Sequence, residues 1–167
     1  MLAGGAALLV AGVGAGGFAG SLTGGLAGGL AGGPAGATRS GNAGAPGTLT
    51  PPEAHAAVRA GDLILVDVRR PDEWAATGIA DGAVPIDLRR DDFVDAVRAV
   101  RAARAGRARG GRDVPVAVIC ARGVRSRRTA AALADAGLTA IVDVPEGMLG
   151  SDAGPGWLAR GLPVTRP

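Results

Sequence analysis

The stretch Cys120-Ala121-Arg122-Gly123-Val124-Arg125 holds the chain's one cysteine, set among arginines and a glycine. Pro115 to Ile119 reads as a short buried strand and Ser126 to Ala136 as a helix, so the thiol falls where a strand passes into a helix. Backbone N–H groups at a helix N-terminus favour negative charge and so stabilise a thiolate and any anion that meets it. An unperturbed thiol, with a pKa of about 8.5, is only about 3% ionised at neutral pH. Making thiolate the majority form takes a drop of about two units, or roughly 2.7 kcal/mol of differential stabilisation. Arg122, Arg125, Arg127 and Arg128 add positive charge in the same place. These residue types predict a cysteine nucleophile that works on anionic substrates.

The plainer reading of a single cysteine is an inert core residue. Its place at a strand end beside an arginine- and glycine-containing loop favours the catalytic reading. One cysteine excludes an intramolecular disulfide, and with His55 as the one histidine there is no metal-ligand cluster. Neither a metal nor a cofactor is expected. His55 is placed on the surface of the first helix and given no role.

Further residues carry a family resemblance. Cys120-x-x-Gly123-x-Arg125-Ser126, after a hydrophobic strand and before an alanine-rich helix, resembles the active-site loop of the rhodanese-like sulfurtransferases. Leu63 to Arg69 followed by Pro71-Asp72-Glu73-Trp74 resembles the family's Asp-Val-Arg strand end and the Pro-x-Glu-aromatic turn after it. Gly82-Ala83-Val84-Pro85-Ile86 resembles its second short strand, and Gly147-Met148 with Gly156 to Val164 its closing segment. The resemblance spans about Leu49 to Val164, with the motifs in the family's order. It implies a domain over residues 48–167 with a central, mainly parallel sheet and helices on both faces.

The same resemblance implies a two-step exchange. Cys120 takes a sulfane sulfur from thiosulfate or a persulfide and passes it to a thiol or cyanide. Consecutive N–H groups from Ala121, Arg122, Gly123, Val124, Arg125 and Ser126 form an anion-binding nest around the outer sulfur, with Arg125 as charged support. Arg122 faces the entrance, either to attract dianionic donors or simply as a solvated arginine. Asp67 and Arg69 are expected to support the loop, with an Arg69–Glu73 ion pair as the alternative for Arg69. Two departures are visible. Thr77-Gly78-Ile79 lacks the histidine that the family commonly places before its isoleucine, and Glu146 replaces the first glycine of a pair, predicting an extra carboxylate at the pocket rim.

Two rival functions stand beside this one. Fold-related phosphatases and arsenate reductases place five residues between cysteine and arginine, whereas only Ala121 to Val124 intervene here, a tighter loop suited to one sulfur atom. A binding or sensing module without turnover is the other.

The elements that must position the loop are legible around it. Thr50-Pro51-Pro52-Glu53 predicts a capped helix running to Ala60 and stopping at Gly61. The unbroken apolar run from Leu63 to Val68 predicts a strand buried on both faces, as in a parallel sheet. Asp91 to Ala105 predicts a helix with Phe93, Val97 and Val100 inward and Arg98, Arg101 and Arg104 on a solvated face. Gly106 to Asp113 reads as a loop, and Ala140 to Val144 as a further strand. Alternating strands and helices predict a parallel α/β architecture.

Of the chain's 167 residues, 47% are hydrophobic and only 2% aromatic, so the core is expected to be built from Val, Ile, Leu and Ala. All 18 basic residues are arginine, but no basic patch interleaved with aromatics points to nucleic acid. Residues 1–38 carry no charge and are rich in Gly, Ala and Leu, with glycine at every fourth position from Gly12 to Gly36. This spacing is that of a glycine zipper in a membrane helix. A secretory signal and a low-complexity tail are the alternatives, and residues 39–47 read as a linker. An envelope location, periplasmic or membrane-anchored, is the expectation; the cytoplasm is the alternative.

Overall fold

The computed structural model describes residues 47–105 and 113–167. The uncharged N-terminal segment, nearly all of the linker and most of the expected loop at 106–113 lie outside them. Five parallel strands form the main sheet, in the order β1 (Gly47–Thr48), β6 (Ile141–Asp143), β5 (Val116–Ile119), β2 (Ile64–Asp67) and β4 (Val84–Pro85). A separate antiparallel pair joins β3 (Ile79–Ala80) to β7 (Val164–Thr165). Helices α1 (Pro51–Ala60), α2 (Pro71–Thr77), α3 (Phe93–Ala105), α4 (Val124–Asp135) and α5 (Gly156–Ala159) complete the chain.

Side chains alternate along each strand, so one sheet can bury two faces. Ile64, Val66, Val68, Val116, Val118, Cys120 and Ile141 face the cluster holding Phe93 and Val97 of α3 and Ala130 and Leu133 of α4. Leu63, Leu65, Ala117, Ile119 and Val144 face the cluster holding Ala54 and Val58 of α1 and Trp157 of α5. The expected double-sided burial and small-aliphatic core are both present. Each fully buried aliphatic side chain contributes about 1.5–3 kcal/mol relative to exposure.

Helix α1 has the expected limits, because the Glu53 carboxylate accepts the Thr50 N–H at 2.8 Å and Gly61 closes the C-terminal end. Where a turn was expected after Arg69, Pro71–Thr77 forms a seven-residue helix. Proline opens it, and Glu73 accepts the Arg70 N–H at 3.0 Å. Arg101 departs from the expectation of a solvated face. It follows Val97 by four residues, lies on the same inward stripe, and carries its guanidinium to Asp113 at 2.5 Å. His55 also departs, since its Nε2 lies 3.0 Å from Asp81 Oδ2 and its ring meets Trp157 edge-on at 5.5 Å.

Candidate active site

Strand β5 delivers Cys120 and helix α4 begins four residues later, two residues before the expected start. Gly123 makes the early start feasible. Its φ of 79° is a left-handed conformation, and a Cβ there would run into the Pro145 carbonyl. Gly147 permits a second close approach, because its Cβ would come within 2.6 Å of the Ala121 carbonyl oxygen. The segment after β6 then fastens the loop, as Met148 N–H donates to Cys120 O and Leu149 N–H to Ala121 O, each at 2.8 Å.

The loop carbonyls are thus engaged while its amides are not. Among the described residues, no hydrogen bond is donated by the backbone N–H groups of Ala121, Arg122, Gly123, Val124, Arg125 or Ser126. Six consecutive donors are left for another acceptor. Cys120 itself is only 1% exposed, and its Sγ donates to Ser126 Oγ at 3.6 Å. The Ser126 hydroxyl in turn donates to Gly123 O at 3.0 Å.

Arg125 faces α2. Its two terminal nitrogens meet the Glu73 carboxylate at 2.8 and 2.5 Å, and the Arg125 guanidinium holds Glu73 at a pKa of about 2. The charge of Arg125 is therefore already matched by a protein carboxylate. Glu73 is taken by Arg125 and not by Arg69, whose partner is Asp67, with Nη2 to Oδ2 at 2.7 Å and Nε to Oδ1 at 2.9 Å. Arg69 also donates to Thr77 Oγ1 at 2.7 Å and Gly78 O at 2.6 Å. This buried pair ties the end of β2 to the α2–β3 junction and makes no hydrogen bond to the cysteine loop. The strands carrying it are adjacent, however, with Val68 N–H donating to Ile119 O at 3.0 Å.

Beside the loop opens a cleft of about 340 Å³, lined by Arg122, Gly123, Val124, Arg127 and Arg128 from one side and by Pro145 and Ser151 to Ala153 from the other. Cys120 is not on its wall. Arg122 lines this opening, and Val124 is 61% exposed within it. Glu146 differs from its expected place at the pocket rim. It is 2% exposed, accepts two hydrogen bonds at 2.8 Å from Arg160 and one at 3.0 Å from Gly156 N–H, and is held below the usual carboxylate range by Arg160. Its neighbour Gly154 has no Cβ to displace the carboxylate.

A family model for the rhodanese-like domain matches residues 50–151. The chain belongs to the rhodanese-like domain family. A solved structure of Rv0390 from M. tuberculosis is 26% identical with a TM-score of 0.55, over 74% of this chain and 99% of that one. The polysulfide-sulfur transferase homodimer from Wolinella succinogenes is 27% identical with a TM-score of 0.49, over 73% and 80% of the two chains. A Rhodopseudomonas palustris protein of unknown function, called a possible tyrosine phosphatase, is 23% identical with a TM-score of 0.50, over 72% and 85%. No curated protein matches the chain.

One buried carboxylate that the sequence reading passed over lies on the strand beside β5. Asp143 ends β6 on the same face as Ile141 and Cys120, is 2% exposed, and its Oδ1 accepts no hydrogen bond. Burial raises its pKa, while the Ser126 hydroxyl and the Arg127 charge draw it partly back down. Its visible signal was one carboxylate inside the otherwise apolar run Ile141-Val142-Asp143-Val144.

Proposed function

We propose that this rhodanese-like domain is a sulfurtransferase working through a Cys120 persulfide. The Cys120 thiolate attacks the outer sulfur of thiosulfate or a persulfide; a new S–S bond forms as the donor's S–S bond breaks, and sulfite or a thiolate leaves with the bonding pair. In the second step a thiolate or cyanide attacks the outer sulfur, and the Cys120 thiolate is released. Covalent catalysis replaces one difficult transfer by two easier ones. The observation that carries this reading is the run of six unengaged N–H groups from Ala121 to Ser126 around a strand-end cysteine. Arg122, Arg127 and Arg128, exposed along the cleft, gather the anionic donor. Arg125 contributes by fixing the first turn of α4 to Glu73 of α2.

Purified protein is expected to form thiocyanate from thiosulfate and cyanide, and to gain the mass of one sulfur on Cys120 after thiosulfate alone. Cys120→Ala should abolish both, and undiminished thiocyanate formation by that variant removes the proposed nucleophile. The near-complete burial of Cys120 favours a second reading, a binding or sensing module without turnover. Absence of both thiocyanate and sulfur loading in the wild-type protein would favour that module.

For location, an envelope site rests on residues 1–38. Among the described residues no helix is long and apolar enough to cross a membrane. Recovery of the C-terminally tagged full chain in the cytoplasmic fraction would refute the envelope site.

A further inference from the structure

Most arginines among the described residues face a carboxylate, as Arg59, Arg70, Arg89 and Arg160 do. Arg122, Arg127 and Arg128 do not. None of the three makes an ion pair or a side-chain hydrogen bond among the described residues, yet all of them line the cleft beside the cysteine loop. Arg104 and Arg166 are likewise without a carboxylate there, but neither borders the cleft. Residues 1–46 and 106–112 contain no Asp or Glu, so the sequence holds no further acidic side chain to neutralise the three. Like charges gathered on one wall repel, and an anion between them relieves the repulsion.

The facing wall is firmly built. Ser151 Oγ donates to Pro145 O at 2.8 Å, Ser151 and Gly154 exchange backbone hydrogen bonds at 2.9 and 3.0 Å, and Gly156 N–H donates to Glu146 at 3.0 Å. This turn carries Asp152 and Ala153 into the cleft, where Asp152 pairs with none of the arginines. Three arginines against one aspartate leave a surplus of two positive charges. At about 340 Å³ the cleft falls at the small end of sites for organic molecules, about 300–1,000 Å³, and is larger than one oxyanion needs. Val124, Pro145 and Ala153 offer it a carbon surface. Cys120 is off the wall and 1% exposed, but Arg122, Gly123 and Val124 belong both to the cleft and to the amide run that follows the cysteine. A molecule seated here lies against the loop, and a narrow arm is what can reach the sulfur.

We propose that the cleft seats the sulfur acceptor, a small organic thiol with at least two negative charges, held by Arg122, Arg127 and Arg128 while its thiol reaches the Cys120 persulfide. This rests on the sulfurtransferase reading and adds the acceptor's charge and seat. The acceptor thiolate forms an S–S bond to the outer sulfur as the bond from that sulfur to Cys120 Sγ breaks. Cys120 keeps the bonding pair as thiolate, the outer sulfur carries its proton across, and the acceptor leaves as a persulfide. Asp152 weakens the hold on any anion, so removing its charge acts opposite to removing an arginine's.

The full chain, loaded with thiosulfate and freed of excess donor, is mixed with limiting 2-mercaptoethanol, mercaptosuccinate or 2-mercaptoethyl phosphate, and loss of the extra sulfur from Cys120 is followed by mass spectrometry. At equal thiolate concentration a dianionic thiol should discharge the wild type about tenfold faster than the neutral one, which is what two exposed ion pairs supply. A preference for either dianion supports the cleft and names its anion, a pair of carboxylates or a phosphate. The double variant Arg127→Gln/Arg128→Gln should bring the ratio close to one, and Asp152→Asn should raise it. Each ratio is taken within one protein, so altered loading or stability cancels. Equal rates for charged and neutral thiols in the wild type overturn the proposal, and so does a preference that survives the double variant.

A second readout needs no sulfur transfer. Calorimetric titration with the S-methyl derivatives of the two dianions, which keep the charges and accept no sulfur, should show binding to the wild type and about tenfold weaker binding to the double variant. If that holds while Cys120 takes up no sulfur, the anion seat stands and the sulfurtransferase reading falls. Discharge of loaded Cys120 at equal rates by all three thiols, with no titration signal, sinks the cleft alone.

Discussion

Arg125 and Glu73 illustrate how one residue's role depends on its partner. Because Arg125 holds the folded-state pKa of Glu73 at about 2, against an ordinary value of 4.5, the ionised pair stabilises the fold. That contribution is complete above the unfolded pKa and is lost as pH falls from about 4.5 through about 2. Urea unfolding at stepped pH is expected to show a shallower acid loss in Glu73→Gln than in wild type, since glutamine can still cap α2 but carries no charge. Equal slopes would mean that the pair adds nothing to stability. In sulfur transfer, Arg125→Ala should cost more than Arg127→Ala, because only Arg125 fastens the start of α4 to another element. Comparable losses in kcat would count against that role. The sequence places Cys120, Arg122 and Arg125 in one loop, but it cannot say that Arg125 turns to Glu73, a residue 52 positions away.

At the scale of elements, the β5–α4 junction depends on a backbone that only glycine adopts without cost. Gly123→Ala should lose about 1–2 kcal/mol from the left-handed conformation alone, and more from the collision with Pro145. Gly137→Ala is the matched comparison, with a φ of 84° and open space around the missing Cβ. It should lose stability by the conformational amount and keep wild-type sulfur transfer, whereas Gly123→Ala should lose both. Equal transfer by the two variants would separate the junction's geometry from catalysis. Much of this element scale is legible in the chain. Helix α1 emerges with its expected limits and strand β5 starts one residue later than expected, since apolar runs and capping residues act over a few positions. Arg101 is not legible by residue type, because a charged tip hides an apolar stem that follows the inward stripe.

For the whole molecule, the pair of buried Glu146 with partly exposed Arg160 binds the closing segment to the loop after β6, the same loop that holds Cys120 and Ala121 by their carbonyls. Arg160→Ala leaves Glu146 charged and enclosed, and should cost about 2 kcal/mol in denaturant unfolding, below the full buried-pair penalty because Arg160 is partly exposed. Arg128→Ala, on the exposed rim of the cleft, should stay within about 0.5 kcal/mol of wild type. A loss at Arg160 no larger than that at Arg128 would show that the closing segment is held by Trp157 and its apolar neighbours instead.

By itself the sequence determined the alternation of the main strands and helices, the double-sided burial of the sheet, and the placing of a lone cysteine at a strand-to-helix turn. These follow from periodicity, capping and turn chemistry, which each operate within a few residues. Only the tertiary structure decided which charges meet: Glu73 with Arg125, Asp67 with Arg69, and Glu146 with Arg160 inside the fold rather than at its rim. It also decided that Asp143 is buried at the end of β6, on the strand beside the one that ends at Cys120. With many arginines and acids in one chain, local pattern allows most pairings, and selection among them falls to the strand order that brings distant segments side by side.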